Sequence, residues 1–283
     1  MTTVIVTGAS SGIGLETAVL AAAAGHRTVA TVRDLARTDD LRKAAADAGV
    51  EVVVERLDVT DEESVAACVD AVVERHGGLD AVVNNAGRAN TFATIETCDL
   101  ARYRADLDVN FFGVVTVTKA ALPHLRASRG RVVTIGSTRG LIGQPFNEGY
   151  SAAKFAVEGF MESLAPTAAR MGVRLVLVEP GPVLGSRFGA NSGVTRESLL
   201  AEAGDYAPVL EAYLDWVARG GWPGAQTPRE VAQVVVAALD AADPDFRIMT
   251  SDWARDYAAT KLVDPSGATV AAMTGSWLDR AVG

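Results

Sequence analysis

Cysteine and histidine are scarce in this chain of 283 residues: Cys68 and Cys98, then His26, His76 and His124. No CxxC spacing occurs, so a disulfide scaffold is excluded and no metal site is expected. Positive charge is also short, with 26 Lys and Arg against 35 Asp and Glu and a formal net charge of −9. An acidic chain is repelled by phosphate backbones and anionic lipid surfaces, so neither nucleic acid nor a membrane is expected as the main partner. No apolar run approaches the ~18 residues of a transmembrane helix. A basic n-region is missing ahead of Met1–Val6, which reads as the entry to a strand, so no signal peptide is visible and a cytoplasmic location is expected. Internal repeats and low-complexity linkers are absent as well. What remains is 49% hydrophobic and 22% charged, the composition of a globular chain with a sizeable core.

Apolar β-branched runs alternate with helical stretches. Strands are expected at Thr3–Thr7, Thr28–Val32, Glu51–Arg56, Asp80–Val83, Arg131–Ile135 and Val173–Val178. Between and after them, helical periodicity covers Ile13–Ala24, Leu41–Ala48, Ser64–Arg75, about Leu107–Leu125 and Tyr150–Met171. The strands are continuous apolar runs, as burial on both faces requires. Such alternation implies right-handed βαβ crossovers and an α/β fold with a doubly wound parallel sheet, helices on both faces. The rhythm breaks between Pro182 and Pro228, where Val209, Leu210, Tyr213, Leu214, Trp216 and Val217 recur at helical spacing in a Gly- and Ala-rich stretch. We read one domain over 1–283, with a helical lid inserted at about 184–227 and a tail at about 252–283 carrying Trp253 and Trp277. Arg229–Leu239 resumes the helical pattern, and Phe246–Thr250 is a candidate last strand.

The first strand runs into Thr7-Gly-Ala-Ser-Ser-Gly-Ile-Gly14. Glycines at 8, 12 and 14 permit positive φ and let backbone N–H groups approach a pyrophosphate at the positive end of a helix. The spacing is GxxxGxG rather than GxGxxG. After the second strand, Arg33 suits the 2′-phosphate of NADP, with Ser11 as a second donor, whereas Asp34, 20 residues beyond Gly14, suits the ribose 2′-hydroxyl of NAD. Asp58 follows the third strand, where it can accept from an adenine amino group or cap the next helix. Asn84-Asn-Ala-Gly87 offers small and amide side chains beside a cofactor.

Tyr150 and Lys154 stand four residues apart on one helical face. A phenol, with its ordinary pKa of about 10, is a poor base near neutrality. An adjacent ammonium stabilises the phenolate and makes the tyrosine a usable proton donor and acceptor. Ser137 ends the strand 13 residues before Tyr150, at the edge where α/β sheets bind ligands, and can hold the oxygen that Tyr150 protonates.

Taken together, TGASSGIG at 7–14, NNAG at 84–87, Asn110, Ser137, YSAAK at 150–154 and Pro180-Gly181 resemble the short-chain dehydrogenase/reductase family, over about Thr3–Leu239. Ala30-Thr-Val-Arg-Asp34, Gln144-Pro-Phe-Asn147, Glu179-Pro-Gly-Pro-Val183 and Asp264-Pro-Ser-Gly267 look most like its 17β-hydroxysteroid and retinol dehydrogenase branch. The resemblance implies a Rossmann-like fold and a catalytic set of Asn110, Ser137, Tyr150 and Lys154, with Asn110 holding a water that links Lys154 to solvent. It implies that Gly8, Ser10, Ser11, Gly12, Ile13, Gly14, Arg33, Asp58, Val59, Asn85, Ala86, Gly87, Tyr150, Lys154, Pro180, Gly181 and Val183 hold NADP(H), with NAD(H) as the alternative. It also implies a homodimer or homotetramer assembled through the two long central helices.

Two positions depart from the pattern. Gly185 stands where the family commonly places a threonine, and no histidine follows His124, so the lid histidine of the steroid enzymes has no counterpart. The expected activity is an NADP(H)-dependent interconversion of a small hydrophobic ketone and its secondary alcohol. A non-catalytic cofactor sensor is the alternative from another class. Leu141, Phe146, Val183, Phe188, Val209, Leu210, Tyr213, Trp216 and Trp222 are the candidate apolar surface for that substrate.

Overall fold

The computed structural model describes residues 1–89, 92–184, 195–222, 224–264 and 266–277. Seven strands form a single parallel sheet: β1 (Thr3–Val6), β2 (Arg27–Val32), β3 (Val53–Arg56), β4 (Ala81–Asn84), β5 (Arg131–Ile135), β6 (Arg174–Glu179) and β7 (Arg247–Met249). Their order is β3-β2-β1-β4-β5-β6-β7. Alternate side chains of each strand enter opposite cores. Ile5, Val29, Val82, Val132 and Leu177 face a cluster with Val65, Val117, Leu125, Val157 and Met161. Val4, Val6, Val83, Val133 and Val178 face another with Leu15, Val19, Leu41, Val235 and Leu239.

The helices on the first face are α3 (Glu62–His76), α5 (Gly113–Ser128) and α6 (Glu148–Arg170). Those on the second are α1 (Gly12–Ala23), α2 (Asp39–Asp47) and α9 (Pro228–Asp240). Local signals set their ends. Asp61 accepts from the Glu63 and Ser64 amides at the start of α3, and Gly77 closes that helix in the left-handed region at φ 78°. Thr227 and Glu230 form a reciprocal capping box at the start of α9, with Pro228 beside them.

Three elements differ from expectation. The helix expected from Leu107 starts earlier, as α4 (Leu100–Leu107), and joins α5 through a π-helical turn, Asp108–Phe112. Such a turn inserts one extra residue and breaks the regular carbonyl ladder, and Asn110 sits inside it. The segment after β6 holds two helices, α7 (Arg196–Glu202) and α8 (Ala207–Ala218). A short parallel bridge between Val183 and Gln226 pinches its base. The tail forms α10 (Asp252–Leu262) and α11 (Ala268–Ser276), which return over α8. There Trp277 stacks on Trp216 with ring centres 4.7 Å apart, and Trp253 stacks on Tyr257 at 4.8 Å. This third apolar cluster, with Phe146, Leu210 and Tyr213 also in it, lies apart from the sheet. No described helix is long and apolar enough to cross a membrane.

Candidate active site

Strand order reverses between β1 and β4, so the loops leaving these two strands part and open a crevice at their carboxyl ends. A cavity of about 780 Å³ fills it, running from the loops after β2 and β3 to Trp222 and Trp253. Gly8, Ser10, Ser11, Gly12 and Ile13 form its floor beside Asn85, Ala86 and Gly87. Gly8 and Gly12 have φ of 68° and 60°, which other residues reach only with strain. A Cβ on Gly8 would also lie 2.7 Å from the Ala86 Cα. Thr7 and Asn85 lock the two loops together. The Thr7 hydroxyl accepts from the Asn85 and Ala86 amides at 3.0 and 3.1 Å, and Asn85 Nδ2 donates to the Thr7 and Gly8 carbonyls at 2.8 and 3.1 Å. Gly14, expected at the ligand, does not border the cavity. Its missing side chain instead lets α1 close on Asn85, which a Cβ there would strike.

Arg33, Asp34 and Arg37 line one end of the cavity together with Ser11. Asp34 turns its carboxylate back to cap its own loop, accepting from the Ala36 amide at 2.9 Å. Asp58 and Val59 border the same end, and Asp58 Oδ1 accepts from the Thr60 amide and hydroxyl at 3.0 and 2.7 Å. Capping of α3 is the work of Asp61, not Asp58. Pro180, Gly181 and Val183 line the wall after β6.

Ser137, Tyr150 and Lys154 meet in the middle of the cavity, all nearly buried. Lys154 Nζ donates to the Ile135 carbonyl at 2.7 Å and lies 5.7 Å from the centre of the Tyr150 ring. Burial pushes the Tyr150 phenol up to about 12, and the Arg139 guanidinium and a hydrogen bond with Ser137 work against that rise. Burial also holds the Lys154 amine below its ordinary range, against the pull of the Glu179 carboxylate. Desolvation thus dominates the Tyr150 phenol, and the expected lowering by Lys154 does not show. Asn110, fully buried, stands behind this group. Its side chain is consumed by the Arg88 amide and carbonyl at 3.0 and 2.8 Å and by the Asp106 carbonyl at 2.9 Å. Both Nδ2 hydrogens are thus spent, so a water beside Asn110 would be held mainly through its main chain in the π turn.

Two residues here escaped the sequence reading. Glu179 is wholly buried at the end of β6 and accepts from the Ser137 amide at 2.7 Å. Its carboxyl is pushed upward by burial, with the neighbouring Glu158 adding to the effect. Gly136 makes room for it, since a Cβ there would overlap Glu179 Oε1. The second is Arg139, half-buried on the cavity wall with its guanidinium carbon 5.6 Å from the centre of the Tyr150 ring. A polar side chain adjoining a predicted catalytic serine was the available signal for it.

Beyond Tyr150 the walls are Gln144, Pro182, Val183, Leu184, Trp222 and Trp253. Of the apolar residues expected there, Val183 and Trp222 line the cavity. Phe146, Leu210 and Tyr213 are buried in the aromatic cluster, Trp216 packs on Trp277, and Leu141 and Val209 do not reach the cavity. Their helical spacing reported packing against the tail. Phe188, Gly185 and Ser186 lie outside the described residues.

Known proteins share this arrangement. Residues 2–195 match the family model described as short chain dehydrogenase. Retinol dehydrogenase 8 of Bos taurus is 38% identical over 272 residues, covering 94% of this chain and 86% of its own length. The 17-beta-hydroxysteroid dehydrogenase type 1 of Mus musculus is 36% identical over 284 residues, covering 96% of this chain and 80% of its own. Among solved structures, an alcohol dehydrogenase from the archaeon Thermococcus sibiricus complexed with 5-hydroxy-NADP superposes with a TM-score of 0.70 at 26% identity. That match covers 88% of this chain and 95% of the other. With a matched family model, an unbroken parallel sheet and these relatives, the chain belongs to the short-chain dehydrogenase/reductase family of oxidoreductases, in the branch that includes the retinol and 17β-hydroxysteroid dehydrogenases.

Proposed function

We propose that this protein interconverts a hydrophobic ketone and its secondary alcohol with NADP(H). The observation that carries the reading is the convergence of Ser137, Tyr150 and Lys154 at the middle of one cavity whose far floor is the glycine turn. The residues fit a dinucleotide: Gly8 and Gly12 turn the backbone at positive φ along the cavity floor, and Ser10, Ser11 and Ile13 border it. Arg33 and Arg37 favour a 2′-phosphate, because the one acidic candidate, Asp34, spends an oxygen on its own loop. When bound, the nicotinamide supplies or takes up the hydride.

The chain's own groups handle the oxygen. Ser137 orients it, and Tyr150 delivers its proton in reduction or removes it in oxidation. A phenol held near 12 is fully protonated at neutral pH, which suits it to donate. Lys154, anchored on the Ile135 carbonyl, stabilises the phenolate left behind, and the main chain at Asn110 passes the replacement proton through a water. The aromatic cluster over α8, α10 and α11 acts as a lid on the substrate end. We also place the protein in the cytoplasm as a homo-oligomer; the exposure of Phe112 beside α5 and of Phe155 on α6 supports the second part.

The test is consumption of NADPH and NADH against a panel of hydrophobic ketones, with Tyr150→Phe alongside. Turnover with NADPH should fall by about 10²- to 10⁴-fold in the variant while NADPH affinity holds. Near-normal turnover in the variant would remove Tyr150 from the chemistry.

A further inference from the structure

The cations lining the cavity have unequal circumstances. Arg33 and Arg37 stand at the end bounded by β2, and Arg88 pairs with the buried Asp106 at 3.3 Å. Lys154 is held by the Ile135 carbonyl with Glu179 nearby. Arg139 is different. Its Nε donates to Gln144 Oε1 at 2.7 Å, and among the described residues nothing accepts from its two terminal amino groups and no carboxylate lies within ion-pair distance. The carboxylates that line the cavity, Asp34 and Asp58, follow β2 and β3, across the sheet from the β5 loop that carries Arg139.

The guanidinium is also positioned rather than loose. Gln144 is 5% exposed, and its Nε2 donates to the Tyr257 hydroxyl at 3.3 Å, so the tail helix α10 braces the residue that braces Arg139. Around them stand Trp222 and Trp253, an apolar wall with no anion of its own. A half-buried guanidinium loses hydration, and the Gln144 side-chain carbonyl and the Tyr150 ring face offset that loss without supplying an anion. Its planar fork of free N–H groups matches a carboxylate through two parallel hydrogen bonds.

We propose that Arg139, held by Gln144, receives a carboxylate carried by the substrate, so that the substrate class is an apolar ring or chain bearing both the reacting carbonyl or alcohol and an acid group. This rests on the ketone–alcohol reading of the site. The guanidinium carbon lies 5.6 Å from the centre of the Tyr150 ring, and both line the same cavity, so a substrate held by Arg139 can keep its carbonyl beside Tyr150. Reduction then consumes one hydride and one proton at the carbonyl, and the carboxylate is unchanged throughout.

Binding is measured first, without turnover, from the fluorescence of the wall tryptophans as cyclohexanecarboxylate or cyclohexanecarboxamide is added to the NADPH-loaded enzyme. The carboxylate should bind more tightly than the amide, and Arg139→Leu should weaken it by about 10- to 100-fold with little effect on the amide. Equal binding of acid and amide, or a variant that weakens both alike, overturns the proposal. So does a parallel loss of NADPH affinity in Arg139→Leu, which would assign the guanidinium to cofactor phosphate. Turnover of 4-oxocyclohexanecarboxylate against 4-methylcyclohexanone follows: Arg139→Leu should lower kcat/KM for the acid further than for the neutral ketone, whose own loss measures what Arg139 does to the Tyr150 phenol. Acid binding that depends on Arg139 in an enzyme that reduces neither ketone would leave the anion site standing and overturn the ketone–alcohol reading instead.

Discussion

Gly136 and Glu179 offer a severe test of how Ser137 is held. A methyl group at Gly136 would overlap Glu179 Oε1 and lie 2.5 Å from Cδ and 2.8 Å from Oε2. Glu179 is wholly buried, so its carboxyl has no solvent to retreat into. Overpacking of this kind costs ~1–3 kcal/mol. Displacing the carboxyl also breaks its 2.7 Å hydrogen bond from the Ser137 amide, leaving a buried donor unpaired at ~1–3 kcal/mol. Alanine recovers about 0.4–1 kcal/mol by restricting the unfolded chain. Gly136→Ala should therefore cost about 3 kcal/mol, a fall in Tm of roughly 6–12 °C for a domain of this size. In a Glu179→Ala background the methyl meets empty space, and the same substitution should cost less than about 1 kcal/mol. The assay is unfolding of all four proteins at one protein concentration, since self-association shifts apparent stability. A coupling of about 2 kcal/mol or more is expected. Costs that add to within ~0.5 kcal/mol would show that Gly136 and Glu179 do not compete for this volume, and the account of how Ser137 is anchored would fail.

Two further outcomes bear on cofactor and proton. Arg33→Ala should weaken NADPH about tenfold or more, by loss of charge-assisted contacts, and NADH hardly at all. Because Arg33 is exposed, the difference should shrink as salt is added, and titrations of both cofactors at two ionic strengths would expose an equal loss. For the proton, the phenol held near 12 must be ionised to accept from an alcohol and intact to donate to a ketone. Oxidation should therefore rise by about tenfold per pH unit between roughly pH 7 and 9, whereas reduction stays level over that window. Paired pH profiles of kcat/KM decide it: an oxidation rate flat across that window would mean that Lys154 and Arg139 outweigh burial once the site is filled.

What could be read from the chain divides along a physical line. β1, β4, β5 and β6 announce themselves because a strand covered on both faces must be apolar at every position, and Val4-Ile5-Val6 can be little else. Tyr150 and Lys154 are legible because a spacing of four in a helix fixes their common face whatever surrounds it. Helix α4 was missed because Arg102, Arg104 and Asp106 interrupt any apolar stripe over Leu100–Leu107. The π turn was missed because no local rule inserts an extra residue: Asn110 is tied to Arg88, 22 positions away in sequence. The apolar surface expected for the substrate shows the same limit. Tyr213 and Trp216 recur at the spacing of a buried face, and only the return of Trp277 shows which surface buries them.

Arg139 and Gln144 belong wholly to the second kind. They lie in the loop between β5 and α6, where no period assigns direction, and Gln144 is set by Tyr257, 113 residues further on. On the proposed reading, the hydride and proton chemistry is written in local spacings, whereas substrate choice rests on contacts with the tail, such as that of Gln144 with Tyr257. If that reading holds, loosening the tail contacts, rather than touching Ser137, Tyr150 or Lys154, should change which substrates are accepted while the hydride and proton chemistry is kept.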